Sequence, residues 1–483
     1  MGCIKSKKKN IEKSLLANIQ PSFVFKSVSD NYAPYLWCQL FKQNLIQVSY
    51  SADKMAKEDL IEKCREYYRG NDQESASINE FERTYESSKA LEWYTKNTFL
   101  YKIINESLRS KNDIDALYTF RYYISDLCTC LLDQYRKEAN NNGVITVYRG
   151  VRLADNEILK MQHSVGKVIS INGFVSTSRD RNVAEMFAGN VEHESVMYEI
   201  ALNVRSLILA DISSLSQFID EQEVLLDIGS IFLVVEVSYQ QIWTIKLKST
   251  KKKTKLAIEY IKSNRKLMTE SQSVLIGRYF AEMGEYYKSI RYLHNLLNRS
   301  NSTTDLGDIY LNLGRAYGFY RDYQNAFKYF QLAYKIQVAE GTDPLVLATI
   351  LSNMGAVHYD DNRALLYHSE ALRLGRPTND VHPSTGTALY NIGNIYFKRQ
   401  KYSKALDYYR KSLKISKKNF PKFHPTIAII YEHIGNVYRA REAYRTAVRY
   451  YITALKMYEK ILPANHLLIR KVKFSIARSK RRE

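Results

Sequence analysis

The sequence predicts an α+β domain followed by an all-α repeat array, and three observations support this division. Residues 1–240 contain 28 lysines and arginines against 32 acidic residues, whereas residues 241–483 contain 43 against 18. The spacing of apolar residues changes from three or four to two after the Asn-Asn-Asn-Gly break at residues 140–143. Beyond residue 270, a glycine in a similar apolar frame recurs at intervals of 37 to 42 residues.

Composition excludes several classes of protein. The 483 residues are 45% hydrophobic and include only 19 glycines and 8 prolines, so the chain is neither collagen-like nor disordered throughout. No apolar run approaches the roughly 18 residues of a membrane-spanning helix, and the basic start lacks the apolar region of a secretory signal. All five cysteines lie in the first 130 residues without a Cys-x-x-Cys pair, which indicates a reducing compartment and no metal site.

Residues 1–20 form a predicted lipid-anchor and basic segment. The start Met-Gly-Cys-Ile-Lys-Ser fits the pattern for myristoylation of Gly2, and Cys3 beside it is a candidate for palmitoylation. One acyl chain binds membranes only marginally, so a second chain or the lysines at residues 5–9 would complete the anchor on an anionic membrane surface. We therefore expect a cytoplasmic, membrane-associated protein, with a disordered basic tail as the alternative.

Residues 21–248 are predicted to form the α+β domain. Residues 51–140 have helical spacing of apolar residues, and short alternating segments follow them. Short strands after a block of helices are typical of α+β domains with antiparallel sheets. The predicted strands are 144–149, 168–170, 173–178, 196–202, 207–210, 224–226, 231–237 and 242–247.

Two strand ends in this region carry polar residues. Arg149 ends a strand, where a guanidinium suits a planar, bidentate grip on phosphate or carboxylate, and Gly150 allows backbone or ligand to approach closely. In the later strand, Ser176 and Ser178 point to one face and Thr177 to the other. Taken alone, Arg149 is better interpreted as a surface arginine of an edge strand, and residues 176–178 as a Ser/Thr-rich edge strand.

A pair of acidic residues precedes a third strand. Glu221 and Glu223, two residues apart on a predicted strand, would share one face about 6–7 Å apart along the backbone. Like charges so close raise each other's proton affinity, which costs stability unless a ligand lies between them. A solvated acidic turn before a buried strand is the alternative.

The chain contains, in this order, Arg149, the Ser-Thr-Ser segment 176–178 and the pair Glu221 and Glu223. This ordered set resembles the R-S-E signature of arginine-specific mono-ADP-ribosyltransferases. The flanking segments 169–174, 183–189 and 223–225 share the resemblance, which covers roughly residues 80–250. It implies a helical N-terminal part with a two-sheet core. It also implies that NAD is the substrate, that ADP-ribose passes to a protein arginine, and that nicotinamide is released. No Gly-x-Gly-x-x-Gly segment or P-loop occurs, so NAD binding of the Rossmann kind is not expected.

The resemblance assigns roles to individual residues. Arg149 would grip the dinucleotide, and Ser176 would support both the NAD pocket and the catalytic glutamate. Glu223 would hold the nicotinamide ribose and stabilise the oxocarbenium-like charge, a demand that glycosidases also meet with a carboxylate. Glu221 would engage the acceptor guanidinium. The further residues implied to contact NAD are Gly150, Thr177, Ser178 and Phe187; an ordinary core phenylalanine is the alternative for Phe187.

The second half contains five glycine-centred units. A small residue stands twelve residues after the glycine of every unit except the third, and in most of these units another stands nineteen residues after it. The third unit fits this pattern if it lacks three turn residues. Small residues at these places let the two helices of a hairpin approach closely, and stacked hairpins bury a continuous core. The glycines are Gly277, Gly314, Gly355, Gly393 and Gly435.

These units resemble tetratricopeptide repeats, and the His-Pro pairs at residues 382–383 and 424–425 resemble those of kinesin light chains. We expect a basic linker or first helix at 249–270, about five repeats over 271–477, and a basic tail at 478–483. The repeat groove would bind a protein or peptide, and the positive charge favours an acidic one. No nucleic-acid motif accompanies the charge, so no nucleic-acid partner is expected.

Three functions follow from these patterns. The leading interpretation is a membrane-tethered arginine mono-ADP-ribosyltransferase whose repeats recruit protein partners. The alternatives are an adaptor with an inactive transferase-like domain, and an NAD glycohydrolase in which water replaces the acceptor. The intact glutamate pair argues against the inactive adaptor.

Overall fold

The computed structural model describes residues 25–28, 33–47, 54–96, 98–109, 113–138, 143–171, 173–189, 194–216, 219–250, 271–298, 303–375 and 382–482. The chain divides into two compact units, Met1–Lys255 and Leu256–Glu483, and the division lies inside the predicted basic linker. Within the described ranges, no helix is long and apolar enough to cross a bilayer.

The first unit begins with a strand and a block of helices. Trp37, Phe41, Phe81, Phe99 and Phe120 are fully buried, so the helical block has an aromatic core of its own. The helices are α1 (Ala33–Gln47), α2 (Lys54–Tyr67), α3 (Asp72–Thr84), α4 (Ala90–Thr95), α5 (Phe99–Arg109), α6 (Asp113–Thr119) and α7 (Arg121–Glu138), and a short 3₁₀ turn, Ser87–Lys89, precedes α4.

The sheet contains nine strands among the described residues. They are β1 (Phe25–Ser27), β2 (Val144–Arg152), β3 (Val168–Ile171), β4 (Val175–Ser178), β5 (Ser195–Asn203), β6 (Leu209–Asp211), β7 (Glu223–Leu226), β8 (Ser230–Tyr239) and β9 (Trp243–Ser249). Two helices, α8 (Asp155–Gln162) and α9 (Arg181–Ala188), interrupt the series. The eight predicted strands all occur with small shifts at their ends, whereas β1 was not predicted. The α+β class is confirmed.

The strands are hydrogen-bonded in the order β1-β3-β8-β9-β5-β2-β4-β7-β6. Among the described residues the core is one hydrogen-bonded sheet rather than two separate ones, and its narrowest junction lies between β2 and β4, which share only the pair Tyr148 and Ser178. The expectation of purely antiparallel sheets is wrong at one place, because β5 and β9 are parallel. The long connection between them, through β6, β7 and β8, allows β9 to return in the same direction.

The second unit is a series of helical hairpins, which confirms the predicted all-α solenoid. The helices are α10 (Gln272–Glu282), α11 (Tyr286–Leu297), α12 (Thr303–Tyr320), α13 (Tyr323–Ala339), α14 (Pro344–Val357), α15 (Asp361–Leu374), α16 (Pro383–Lys398), α17 (Tyr402–Asn419), α18 (Pro425–Ala440), α19 (Tyr444–Ile461) and α20 (Leu467–Lys480). Each repeat glycine lies on the first helix of a hairpin, and the most extensive contacts of this unit join the helices within hairpins.

The repeat glycines lie where a large side chain of the second helix presses on the first. A Cβ added to Gly393 would lie 2.6 Å from Tyr409, and one added to Gly435 would lie 2.8 Å from Tyr451, each sixteen residues further on. In the third hairpin the neighbour of Gly355 is His368, thirteen residues on. The difference of three residues agrees with the predicted loss of three turn residues in that unit.

Candidate active site

Arg149 lies inside the sheet rather than at its surface. It lies within β2, which continues to Arg152, so the expectation that Arg149 ends its strand is wrong. Arg149 is opposite Tyr198 of β5 in the register and is only 7% exposed. Its Nη1 atom donates a hydrogen bond to the backbone carbonyl of Ser176, at 2.5 Å. The guanidinium is therefore fixed against β4, across the weak junction between β2 and β4.

Ser176 connects the arginine to the acidic strand. In the antiparallel pair β4–β7, Ser176 lies opposite Leu225, and Ser178 lies opposite Glu223. Ser176 and Glu223 are thus diagonal neighbours on one face, within reach of a long side chain. The Ser176 side chain is hydrogen-bonded to the Glu223 carboxyl group. The structure brings Arg149, Ser176 and Glu223 together.

Glu223 is a buried carboxyl group with a perturbed pKa. Burial raises the pKa of Glu223 above its usual range, and this outweighs the hydrogen bond from Ser176 and the charge of Arg149, which both lower it. A buried carboxyl group held between a hydroxyl and a guanidinium is typical of a functional site.

Glu221 is not on the strand, so the predicted extended spacing of the two glutamates is wrong. Residues Ile219–Glu221 form a 3₁₀ turn, and Gln222 has a φ of 44° before β7 begins at Glu223. The two carboxyl groups nevertheless interact: burial, and secondly the charge of Glu223, raise the pKa of Glu221 to about 7. Glu221 therefore gains or loses its proton near neutral pH.

The two remaining hydroxyls of the Ser-Thr-Ser segment contact backbone. Ser178 Oγ donates to the carbonyl oxygen of Glu221 at 2.6 Å and accepts from the backbone N–H of Asp180 at 2.9 Å. Thr177 Oγ1 donates to the carbonyl oxygen of Val224 at 2.7 Å. These bonds hold the acidic turn and β7 against β4, while the expected NAD contacts of both residues stay predictions.

Gly150 allows helix α9 to lie directly on β2. A Cβ added at Gly150 would lie 1.8 Å from the carbonyl oxygen of Ala184 on α9. The close approach that the sequence predicts at this glycine is thus made by the protein's own backbone. On the same helix, Phe187 is 44% exposed, which excludes the alternative of an ordinary core phenylalanine. Whether it stacks on nicotinamide stays a prediction.

An ion pair that the sequence analysis did not identify supports the acidic turn. Arg179 Nε lies 3.1 Å from Asp211 Oδ2 at the end of β6. The backbone N–H of Arg179 donates to the carbonyl oxygen of Gln222. The N–H of Ile212 donates to the carbonyl oxygen of Glu223. Arg179 directly follows the Ser-Thr-Ser segment, but no sequence signal indicates its distant partner.

The arrangement brings one positive and two acidic groups together beside β2, β4 and β7. A guanidinium fits phosphate or other anionic groups, and a buried carboxyl group stabilises positive charge that develops beside it. Among the residues with described side chains, no cluster of three or more histidine, cysteine, aspartate or glutamate residues is placed to hold a metal ion. The predicted lipidation residues, Gly2 and Cys3, lie outside the described residues.

Comparison with protein families gives one match in the first unit and three in the second. Residues 47–255 match the model of a family described as NAD:arginine ADP-ribosyltransferase. Residues 307–337, 346–418 and 427–467 each match a tetratricopeptide repeat model. The matches confirm the two resemblances drawn from the sequence.

Among solved structures, the chain is similar to ADP-ribosyltransferase HopU1 of Pseudomonas syringae pv. tomato DC3000, with 21% identity over 41% of this chain and 97% of that one (TM-score 0.30). It is similar to the C3 exoenzyme of Clostridium limosum, with 17% identity over 40% of this chain and 95% of that one (TM-score 0.28). BtubC of P. vanneervenii has 19% identity over 42% of this chain and 88% of its own (TM-score 0.31).

Proposed function

We propose that this chain, which carries a domain of the NAD:arginine ADP-ribosyltransferase family at residues 47–255 and tetratricopeptide repeats between residues 307 and 467, transfers ADP-ribose from NAD to arginine side chains of proteins. NAD-dependent ADP-ribosylation follows from the family. Arginine as the acceptor, and the recruitment of acceptors by the repeats, are the proposed refinements.

The observation that carries the proposal is the link from Arg149 through Ser176 to Glu223. Arg149 is fixed by its hydrogen bond to the Ser176 carbonyl, and the Ser176 side chain is bonded to Glu223. The guanidinium would bind the anionic pyrophosphate side of NAD, and the Glu223 carboxylate would face the nicotinamide ribose. One short segment of β4 thereby aligns both ends of the substrate.

The proposed reaction breaks one bond and forms one. The bond between the ribose C1′ and the nicotinamide nitrogen breaks, the electron pair leaves with nicotinamide, and the ribose carries an oxocarbenium-like charge that Glu223 stabilises. A guanidine nitrogen of the acceptor then bonds to C1′. Glu221 accepts the proton that this nitrogen loses, which a carboxylate with a pKa of about 7 can do at neutral pH.

Arginine transfer is tested with Glu221→Gln, assayed for nicotinamide release and for labelling of an arginine analogue from labelled NAD. The exposed neighbouring change Asp220→Asn is the matched control. We expect Glu221→Gln to lose the labelling while it keeps nicotinamide release, and Asp220→Asn to keep both.

Two other results would contradict this assignment. Nicotinamide release by the unchanged protein without any labelling of the analogue would favour an NAD glycohydrolase. If the unchanged protein yields neither nicotinamide nor labelled analogue, the result would favour the inactive adaptor.

The partner proposal concerns the last repeats. Residues 398–482 contain 23 lysines and arginines against four acidic residues, and one of these four, Glu432, is buried and paired with Lys471 at 3.0 Å. Such a surface attracts an acidic protein segment and repels a basic one. We expect the chain to bind an oligoglutamate peptide with an affinity that falls as salt increases. Equal binding of an oligolysine peptide of the same length would refute the charge argument.

The membrane proposal concerns Gly2 and Cys3. If Gly2 is myristoylated and Cys3 palmitoylated, cells given a clickable myristate analogue will label the chain but not its Gly2→Ala variant. Cys3→Ser is expected to keep the myristate label and to weaken membrane association, which then depends on the lysines at residues 5–9 and falls as salt increases. An unlabelled parent chain would refute the lipid anchor.

A further inference from the structure

Helix α1 lies before the segment that matches the transferase family, yet it is built into the same core. Tyr35, Leu36, Trp37, Leu40 and Phe41 are all at most 2% exposed. The helix packs against α6 and α7. A helix that is apolar on most of its surface must be enclosed to be stable, so α1 is an integral part of the first unit.

One polar contact from α1 reaches the catalytic sheet. The Lys42 ammonium group forms an ion pair with Asp227 Oδ2, and the two side chains are only 11% and 3% exposed. Lys42 Nζ also donates to the carbonyl oxygen of Ile228 at 3.1 Å. A buried ammonium group with two acceptors from consecutive residues fixes the position of both.

The same turn receives a second contact from the helix. Gln39 Nε2, one helical turn before Lys42, donates to the carbonyl oxygen of Gly229 at 3.2 Å. Gly229 has a φ of 72°, and a Cβ there would lie 2.0 Å from Gln39 Nε2. The turn between β7 and β8 is thus shaped to receive two side chains of α1.

Asp227 directly follows β7, the strand that begins with Glu223. Its second carboxylate oxygen accepts a contact from Cys128 Sγ of α7 at 3.6 Å, and its carbonyl oxygen accepts from Ser230 Oγ at 2.6 Å. Four strand residues separate the anchored turn from the turn that carries Glu221. Any displacement of Asp227 along the strand is therefore passed to Glu223, since an extended backbone has little slack.

We propose that Lys42 and Asp227 are positioning residues for the ADP-ribosyl transfer: helix α1 fixes the end of β7, and through β7 the place of Glu223 beside Ser176. The inference rests on the proposed function of the Glu223 site. It adds a requirement from outside the segment matched by the family, since Lys42 precedes residue 47.

The physical reason is the cost of an unpaired charge. If Lys42 is replaced by an apolar side chain, the Asp227 carboxylate stays buried without its counter-ion, and it must take up a proton or move toward water. Movement would displace β7. Removing both charges leaves no group that needs to move, so the double variant should recover part of the loss.

An ion pair with a buried arginine elsewhere in the unit provides the control. Arg121 of α7 pairs with Asp59 of α2 at 2.7 Å, and the Arg121 side chain is 3% exposed. The contacts described for this pair connect α2, α6 and α7. Asp59→Asn therefore removes the half-buried partner of the buried Arg121, at a site on the helices rather than on the strand that carries Glu223.

The experiment compares full-length Lys42→Met, Asp227→Asn, the double variant and Asp59→Asn. For each, nicotinamide release gives kcat, the KM for NAD and the pH profile of kcat, and thermal unfolding gives Tm. We expect Lys42→Met to lower kcat at least about tenfold with a smaller change in KM, to shift the acid limb of the profile, and to be partly restored in the double variant. Asp59→Asn is expected to lower the Tm and to leave kcat, KM and the pH profile unchanged.

The possible failures are distinguishable. If Lys42→Met lowers Tm but keeps the kcat and the pH profile of the parent, the ion pair is only structural and the inference is wrong. If Lys42→Met does not fold, the same criterion applies to Asp227→Asn, which removes the charge without removing the lysine. If the parent chain itself releases no nicotinamide, the proposed function has failed.

Discussion

The backbone carbonyl of Ser176 accepts a hydrogen bond from Arg149 Nη1 at 2.5 Å, while the side chain of the same serine is bonded to Glu223. A single residue thus joins the basic and the acidic part of the site, one through its backbone and the other through its side chain. Substitution of Ser176 should therefore disturb Glu223 while Arg149 keeps its contact.

Ser176→Ala tests this separation. Loss of the hydroxyl removes a hydrogen bond that lowers the pKa of Glu223, so the pKa should rise further and the acid limb of the kcat profile should move to higher pH. Hydrogen bonds to charged groups contribute about 1.5–3 kcal/mol, so we expect kcat for nicotinamide release to fall at least about tenfold. An unchanged profile would show that Ser176 does not act on Glu223.

The raised pKa of Glu221 predicts how stability depends on pH. The pKa is about 7 in the folded chain and ordinarily about 4.3 in an unfolded one, so the folded state binds more protons between these values. Stability contributed by this group therefore falls as pH rises from about 4 to 7, and it does not return above pH 7.

Glu221→Gln removes the group and should remove this loss. We expect its Tm to equal that of the parent near pH 4 and to exceed it at pH 8, measured by calorimetry in matched buffers. The exposed neighbour Asp220→Asn serves as the control. A Tm difference of the opposite sign at pH 8 would show that Glu221 is stabilised as a carboxylate.

Gly150→Ala tests the contact between β2 and α9. The added methyl group would lie 1.8 Å from the carbonyl oxygen of Ala184, so the helix must move away from the strand. Overpacking of this kind costs about 1–3 kcal/mol, and the movement would carry Phe187 with it. We expect a lower Tm and a raised KM for NAD, whereas Gly143→Ala, with no atom within 4 Å of the added group, should change neither.

The repeat glycines give a matched pair in the second unit. A Cβ at Gly393 would lie 2.6 Å from the Tyr409 ring, while one at Gly318 has no neighbour closer than 3.6 Å. We expect Gly393→Ala to destabilise the repeats by about 1–3 kcal/mol, and Gly318→Ala to stabilise them slightly, because alanine favours a helix. Urea unfolding followed by circular dichroism measures both. Equal effects would contradict the role assigned to the repeat glycines.

The sequence predicted the elements of the fold well where periodicity is strong. The change of period after residue 143 located eight strands, and the glycine spacing located the helical hairpins, since close helix packing demands a small residue at a fixed place. Strand β1 was not predicted because its three residues, Phe25–Ser27, are too few to show a period. The parallel pairing of β5 with β9 was not predicted because strand pairing depends on the path of the whole chain.

For the site, the sequence indicated the residues but not all of their geometry. Arg149, Ser176 and Glu223 could be named because their order and flanks resemble a known signature. Glu221 was expected on a strand, whereas a turn precedes β7, and the left-handed conformation of Gln222 has no sequence signal in a non-glycine residue. The pair Lys42 and Asp227 lies 185 residues apart in the chain, and nothing local to either residue indicates the other.

The most direct test of the account measures transfer from labelled NAD to an arginine analogue by the purified full chain and its Glu223→Gln variant. The exposed carboxylate change Glu236→Gln is the control. The account predicts that the parent and Glu236→Gln label the analogue and release nicotinamide, and that Glu223→Gln does neither. Equal labelling by the parent and Glu223→Gln, or labelling by neither, would contradict the assignment of Glu223 as the catalytic residue of an ADP-ribosyltransferase.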